Sequence, residues 1–328
     1  MHIPDGFLSP AVCVGTGTIA AGTLAVAFRK LDATLASRTV PLTGMVASLI
    51  FAGQMVNFPI GLPVSGHLIG GTLAAILLGP WGGCVALALV LFVQMALFSD
   101  GGWLAYGANV FNMGVVGSLG GYALYQAVRS RIAGPRGVLL GGMLAGWGSV
   151  MAAAACFCLE FWLSHPAGEF DLRKIWMLMA SFHSLIGVGE ALITGMILSV
   201  VLVHRPELVA AQITSTNPAR IGRFVWTGVV AALIVAAFAA PFASEYGDGL
   251  EAVAEEAGFA SHATESTGPL LNDYALPLPG TDRESPLWGK VATAMAGLLG
   301  TTVVLLLGWG LCQTLPRPLT PREDVHAG

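Results

Sequence analysis

The sequence begins with MHIPDGF at positions 1–7 and passes almost directly into an apolar run at positions 9–28. About 20 apolar residues are enough for a helix to cross the hydrocarbon core of a bilayer. We therefore expect the amino terminus to lie at a membrane surface, anchored by the first span. No cleavable signal peptide is predicted, because the first basic residue, Arg29, follows the apolar run instead of preceding it.

The composition of the whole chain is that of a membrane protein. Hydrophobic residues make up 55% of the 328 residues and charged residues only 10%, whereas soluble domains carry about 25% charged residues. A soluble fold of this size could not bury so much apolar surface. The net charge of −4, with no basic block, gives no indication of nucleic-acid binding. The sequence therefore predicts an all-α, polytopic membrane helix bundle in contact with lipid.

Nine apolar segments are predicted to be transmembrane helices, seven before a polar linker and two after it. They are residues 9–28, 40–60, 67–79, 81–99, 106–128, 137–163, 175–203, 224–242 and 291–312. The predicted domains are a seven-helix unit at 1–205, a cytoplasmic linker at 206–222, a two-helix part at 223–315 and a cytoplasmic tail at 316–328. The two-helix part contains an acidic outer loop at 243–289, which could attract cations or be only a solvated connection.

Basic residues orient the predicted bundle. If the amino terminus is outside, 11 of the 15 Lys and Arg residues fall in cytoplasmic segments. These are Arg29, Lys30, Arg38, Arg129, Arg131, Arg136, Arg205, Arg220, Arg223, Arg317 and Arg322. An excess of basic residues on the cytoplasmic side is the usual determinant of orientation. The amino terminus is therefore predicted to be outside and the carboxyl terminus inside, as an odd number of spans requires.

The first two residues form a candidate chelator. An unblocked α-amine, the amide nitrogen of His2 and the imidazole Nδ1 of His2 can close fused rings around one ion. Planar nitrogen coordination of this kind suits Ni(II) or Cu(II) far better than Mg, Ca or tetrahedral Zn. His67, at the predicted outer start of the third span, could provide a fourth nitrogen. The alternative is that His2 is an ordinary terminal residue, since chain termini are usually poorly ordered.

Other polar residues are candidates for supporting such a site or for purely structural roles. They are Asp5, Ser65, Asn109, Asn112, His183 and Glu190. Glu190 lies in the middle of the seventh predicted span, with His183 seven residues earlier on the same helical face. An acid buried in a membrane is a functional candidate, or it can be a partner for polar groups of other helices. Asn109 and Asn112, three residues apart, could hold the metal-binding residues by hydrogen bonds or simply connect helices.

Common catalytic motifs are missing from the sequence. It contains no Gly-x-x-x-x-Gly-Lys-Ser/Thr pattern, no His-Glu-x-x-His and no Gly-x-Ser-x-Gly. Hydrolysis of ATP by a P-loop and the common protease and hydrolase mechanisms are therefore not expected in this chain. The absence of these motifs argues against an enzyme, although a metal enzyme of another type stays open.

Several groups of residues resemble the CbiM/NikM family, whose members are the substrate-binding membrane components of energy-coupling factor transporters for Co²⁺ and Ni²⁺. The matching groups are MHIPDGFL at 1–8, SGHLIGG at 65–71, LGP at 78–80, DGG at 100–102, GANVFNM at 107–113, HSLIG at 183–187 and EALIT at 190–194. Residues 224–312 are similar to the small NikN-like companion component, here fused. The sequence GDGLE at 247–251 departs from that component's PDGLE at its first residue.

The resemblance implies that residues 1–205 bind Ni²⁺ or Co²⁺ as the transported substrate, with Met1, His2 and His67 as ligands and no catalytic cofactor. It also implies separate partners, a transmembrane coupling component and ATPase subunits that supply the energy, in a bacterial cell membrane. The resemblance does not choose between nickel and cobalt.

Two other classes of function stay open from the residues alone. One is a self-sufficient secondary transporter or channel for divalent transition metals, with His183 and Glu190 as an ion or proton relay. The other is a membrane enzyme with a catalytic metal at His2 and His67. A saturated four-nitrogen site would disfavour the enzyme, because a catalytic metal needs an open coordination position.

Overall fold

The computed structural model describes residues 1–34, 40–209, 218–264, 271, 274, 276 and 286–313. The predicted tail at 316–328, residues 210–217 of the predicted linker and most of the loop between 265 and 285 lie outside these residues.

The described chain is a bundle of helices with one small β-hairpin. The helices are α1 (Pro10–Thr34), α2 (Val40–Gln54), α3 (Gly71–Leu78), α4 (Pro80–Phe98), α5 (Tyr106–Asn109), α6 (Gly121–Arg129), α7 (Gly134–Ser164), α8 (Leu172–His204), α9 (Pro218–Ile234), α10 (Gly249–Ala257) and α11 (Pro286–Gln313). A π-helical segment, Val110–Gly120, joins α5 to α6, and a second one, Val235–Ala239, extends α9. The hairpin consists of β1 (Phe58–Leu62) and β2 (Val64–Gly66).

Six of the described helices are long and apolar enough to cross a membrane. They cover residues 10–31, 80–98, 134–164, 172–204, 222–242 and 287–311. The other three predicted spans correspond to the shorter apolar helix α2, to α3 and to the continuous helical segment from Tyr106 to Arg129. The prediction of an all-α, multi-pass membrane protein is confirmed, although not every predicted span is a full-length helix.

The second and third predicted spans differ most from the structure. Residues 58–66 form the antiparallel hairpin, with Phe58 opposite Gly66, instead of the end of a helix. The physical reason is that Pro59 and Pro63 cannot continue a helix, and Gly61 has a positive φ of 89°. The predicted span 67–79 contains helix only from Gly71 onward, and eight residues rise about 12 Å, against about 30 Å for the hydrocarbon core.

Small residues bring α1 against α5 at the end of the bundle that holds the amino terminus. A Cβ atom at Gly107 would lie 2.3 Å from the Cα of Gly17, so the two backbones touch directly. Small residues at helix interfaces permit this kind of close approach in membranes. The contact positions Asn109, two residues further along α5, beside residues 1–7.

The described part of the loop between α9 and α11 folds back over the amino terminus. The backbone amide of Thr264 donates to the carbonyl of Asp5 at 2.8 Å, and the amide of Ser65 donates to the carbonyl of Gly247 at 2.9 Å. Helix α10 begins with a capping box, in which the Asp248 side chain accepts from backbone amides while Glu251 reaches back to the Asp248 amide. Residues 244–264 are thus part of the fold around residues 1–7, and not merely a solvated connection.

Candidate metal site at the amino terminus

The first seven residues are held in the protein by two polar side chains. The carboxylate of Asp5 accepts hydrogen bonds from the backbone amides of Trp103, Leu104 and Ala105, at 3.0, 2.9 and 3.0 Å. Asn109 binds the backbone of Ile3 on both sides, with Oδ1 accepting from its amide at 2.8 Å and Nδ2 donating to its carbonyl at 3.0 Å. These bonds fix the direction of the backbone in residues 1–7. The structure thus places Asp5 and Asn109 where they hold the segment that carries Met1 and His2.

Apolar burial completes this anchoring. Met1 is 6% exposed, Ile3 1% and Phe7 3%. The Phe7 ring packs edge-on against Phe259, with ring centroids 5.0 Å apart. The terminus is therefore enclosed by protein, unlike the loose end that is usual for a chain terminus.

The α-amine of Met1 lies between an imidazole and a carboxylate. It is 2.7 Å from Nε2 of His67 and ion-paired with Asp248. Nδ1 of His67 lies 3.0 Å from the carbonyl of Leu68. A proton on Nδ1, donated to that carbonyl, leaves the lone pair of Nε2 facing the amine. Burial, and then the charge of the amine, lowers the pKa of His67 below its ordinary value, so the ring is neutral and able to bind a cation.

His2 is stacked on His67 but engaged by other partners. The two ring centroids are 5.0 Å apart and the planes differ by 18°. Nδ1 of His2 is 3.0 Å from the Asp100 carboxylate and Nε2 is 3.1 Å from Oε1 of Gln94. The structure thus brings Met1, His2 and His67 together, but it directs Nδ1 of His2 at Asp100. Closing the predicted planar chelate requires this ring to turn.

Two carboxylates compensate the positive charge at the site. Burial by itself would raise the pKa of Asp100, but the charge of His2 and hydrogen bonds from His2 and Tyr274 lower it to about 2. Burial also opposes the ionisation of Asp248, yet the charge of the adjacent α-amine holds its pKa well below the usual range. Both carboxylates are therefore negatively charged at neutral pH.

Glu190 and Ser65, two further candidates from the sequence, bind backbone groups near the site. Both carboxylate oxygens of Glu190 accept from backbone amides, those of Ile69 at 2.6 Å and Gly70 at 2.9 Å. Glu190 thus holds the loop that follows His67. The Ser65 hydroxyl donates to the carbonyl of Tyr246 at 2.7 Å and connects β2 to the residues before Asp248.

Asn112 is not part of the site. Its Nδ2 donates to Oε2 of Glu160 at 2.8 Å, a contact between the π-helical segment and α7. Its neighbour Asn109 is bound to Ile3. The two amides therefore have separate roles, although their spacing suggested a common one.

A small cavity adjoins the amine of Met1. His67, His183, Asp248 and Gly249 contribute to its lining. The space available to the centre of a water-sized sphere is about 10 Å³, close to the minimum for one water molecule. Within the described ranges there is no group of three or more His, Cys, Asp or Glu side chains arranged to hold a metal ion. An ion here would need the amine and a backbone nitrogen in addition to the imidazoles.

Sequence reasoning missed Asp100, Gln94 and Asp248 as parts of this site. The Gly-Asp-Gly-Leu-Glu motif at 247–251 was visible, and its Asp and Glu have the spacing of a capping box. Nothing local indicates that this cap packs on residue 1. That contact joins residues 247 positions apart in the chain.

Comparison with known proteins gives two family matches. The family described as cobalt uptake substrate-specific transmembrane region matches residues 2–208, and the PDGLE domain matches residues 222–317. The fused nickel transport protein NikMN of Rhodobacter capsulatus is 33% identical, over 98% of this chain and 99% of that protein. The cobalt transport protein CbiM of Geobacter sulfurreducens is 28% identical, over 83% of this chain and 81% of that protein.

Solved structures show a similar fold. The crystal structure of a truncated transition metal transporter is 34% identical to this chain and superposes with a TM-score of 0.55. It covers 62% of this chain and 99% of its own length.

Proposed function

The chain belongs to the family of cobalt uptake substrate-specific transmembrane regions, with a PDGLE domain in the same polypeptide, and we propose that it binds the ion for an ATP-driven importer of the energy-coupling factor type. Membership of the family makes it a membrane component of nickel or cobalt transport. The proposal adds the ligands of the ion and the source of energy.

The observation that carries the proposal is the buried pairing of an amine with an imidazole. The α-amine of Met1 and Nε2 of His67 are 2.7 Å apart, and Met1 and His67 line the same cavity. Two nitrogen donors that face one small space can bind the same divalent ion. The amide nitrogen and Nδ1 of His2 complete a planar set of four nitrogens, which favours Ni²⁺ among the two candidate substrates.

Loading of the ion then requires three changes at the site. The amide nitrogen of His2 must lose its proton to become a ligand. The amine must give up a proton and its ion pair with Asp248, because a protonated amine has no lone pair to donate. The ring of His2 must turn so that Nδ1 leaves Asp100. The two freed carboxylates stay beside the site and balance the charge of the ion.

The proposed partners supply what this chain lacks. A transmembrane coupling component and ATPase subunits would provide the energy, since the chain has no P-loop sequence. Helix α8 presents large apolar side chains that are exposed in the isolated chain, among them Val188, Leu192 and Met196. Such a face suits lipid or the coupling component. A self-sufficient relay through Glu190 is less well supported, because both of its oxygens are occupied by backbone amides.

Binding is tested by calorimetric titration of Ni²⁺ and Co²⁺ into the protein with a free amino terminus. We expect His2→Ala and His67→Ala each to lower the affinity by more than about 100-fold, beyond the effect of losing an outer partner of a ligand. His204→Ala, an exposed histidine at the far end of α8, is the matched control. Near-native affinity in either of the first two variants would contradict the proposed ligands.

Transport is tested separately in proteoliposomes. The proposal expects uptake of the ion only when the coupling component, ATPase subunits and ATP are all present. Uptake by this chain alone would instead identify a secondary transporter or channel.

A further inference from the structure

His183 has an imidazole nitrogen that the proposed ligand set does not use. The side chain lies on α8 and is only 1% exposed. Its Nδ1 is 3.0 Å from the carbonyl of Met179, one helical turn earlier. A proton on Nδ1 satisfies that carbonyl and leaves Nε2 as a bare lone pair. Nε2 has no hydrogen-bond partner among the residues that the structure describes.

The residue that carries this unpartnered nitrogen lines the same cavity as Met1. Met1, His67, His183 and Asp248 all line it. Gly249 keeps the space open on the side of α10, because a Cβ atom there would lie 3.1 Å from Cε1 and 3.4 Å from Nε2 of His183. A buried acceptor without a donor is unusual in folded proteins, and here it faces a space of about the volume of one small occupant.

The imidazole rings of His67 and His183 make the same kind of contact through Nδ1. In each ring Nδ1 lies 3.0 Å from a main-chain carbonyl, that of Leu68 or that of Met179. Metal-binding histidines usually have this arrangement, because the second nitrogen fixes the tautomer and the orientation of the ring. In both cases Nε2 is the nitrogen left without a proton, and both residues line the cavity beside Met1.

We propose that Nε2 of His183 is a further ligand of the transported divalent ion, supplied by α8 to an ion that is also bound by Met1 and His67. The inference rests on the proposed function. It adds a nitrogen from the membrane-spanning part of the bundle to ligands supplied by the amino terminus and by the loop before α3. A fifth donor would make the ion five-coordinate instead of planar.

The test counts imidazole ligands on the bound ion. X-ray absorption and visible spectra of the Ni²⁺- and Co²⁺-loaded protein are compared for the original chain and His183→Phe, which keeps a ring of similar size without a nitrogen. We expect the number of bound imidazoles to fall from three to two, the visible spectrum to change, and the affinity to fall roughly tenfold or more. His204→Ala, on the same helix, should change neither the spectra nor the affinity.

Unchanged spectra in a folded His183→Phe protein would overturn the inference, even if the affinity is lower, since that result indicates only a packing role. If His183→Phe does not insert or fold, His183→Gln gives the same reading with a polar side chain. If the original chain binds neither ion, the proposed function fails as well. If it binds an ion that His67→Ala loses and His183→Phe holds unchanged, the inference about His183 alone is wrong.

Discussion

The α-amine of Met1 is ion-paired with the carboxylate of Asp248, so the first residue of the chain and a residue of the PDGLE domain close the same pocket. The side chain of Asp248 is 13% exposed and that of Met1 4%. Asp248 also caps helix α10 by accepting from the amides of Leu250 and Glu251 at 2.8 and 3.0 Å. The site is therefore shared between the two parts of the chain that the family matches separate.

Replacing Asp248 by Asn should destabilise the ion-free protein more than the loaded one. Asn is also a good helix cap, so the change removes the charge and leaves α10 intact. The buried ammonium loses its partner, which typically costs several kcal/mol for a buried pair. In the loaded protein the ion holds the deprotonated amine, so less is lost. Thermal unfolding with and without Ni²⁺ measures both effects.

The control for that experiment is Asp171→Asn. Asp171 caps α8 by accepting from the amide of Lys174, and it is exposed. The substitution Asp171→Asn should lower the melting temperature only slightly, and by the same amount in the ion-free and the loaded protein. An equal loss of stability with and without ion in Asp248→Asn would mean that the ion pair has no part in loading.

Replacing Asn109 by Ala should weaken Ni²⁺ binding by about 10- to 100-fold, the usual range for losing a group that orients a ligand. Asn109 fixes the backbone of Ile3 by two hydrogen bonds, and Ile3 directly follows the chelating residues. Asn112→Ala is a close control, because it lies three residues away and binds Glu160. Its affinity for Ni²⁺ should stay near that of the original chain. Equal loss in the two variants would contradict the separate roles.

Replacing Glu190 by Ala should reduce stability without changing the coordination of the ion. The carboxyl group accepts from two buried amides, and a buried donor left without a partner costs about 1–3 kcal/mol. Loss of both frees the loop after His67, so the affinity should fall while the visible spectrum of bound Ni²⁺ is kept. A changed spectrum would show that Glu190 is itself a ligand.

The class of fold could be predicted from the sequence, because the length of an apolar segment identifies a membrane span. The proximity of the amine, His2 and His67 could also be predicted, because the order of the spans puts both histidines at the same side of the membrane. The sequence was not sufficient for Asp248, since the return of a loop to residue 1 leaves no local periodicity. The different roles of Asn109 and Asn112 were also hidden. The helix becomes π-helical at Val110, and its wider turn does not keep residues three apart on one face.

The third predicted span illustrates a different limit. Its apolar residues fit a helix from 67 onward, but Gly70 has a φ of 76°, and the amides of Ile69 and Gly70 bind Glu190 instead of continuing a helix. A carboxylate 120 positions away in the chain thus decides where α3 begins. Composition carries no such information.

The final prediction concerns the amino terminus itself. Adding Gly-Ser before Met1, or acetylating the amine, should abolish tight binding of Ni²⁺. The added residues move the basic nitrogen away from the site, and acetylation makes its lone pair unable to bind a metal. The same Gly-Ser added at the carboxyl terminus is the control and should leave binding unchanged. Binding to the free terminus should release at least two protons per ion, one from the amine that is ion-paired with Asp248 and one from the His2 amide. The lowered pKa of His67 means that this ring is already neutral near pH 7 and releases none. Affinity should therefore fall steeply as the pH drops through neutrality.

Calorimetric titration in buffers of different ionisation enthalpy measures both affinity and proton release. If the extended and free forms bind equally, without proton release, the buried amine is not a ligand of the ion.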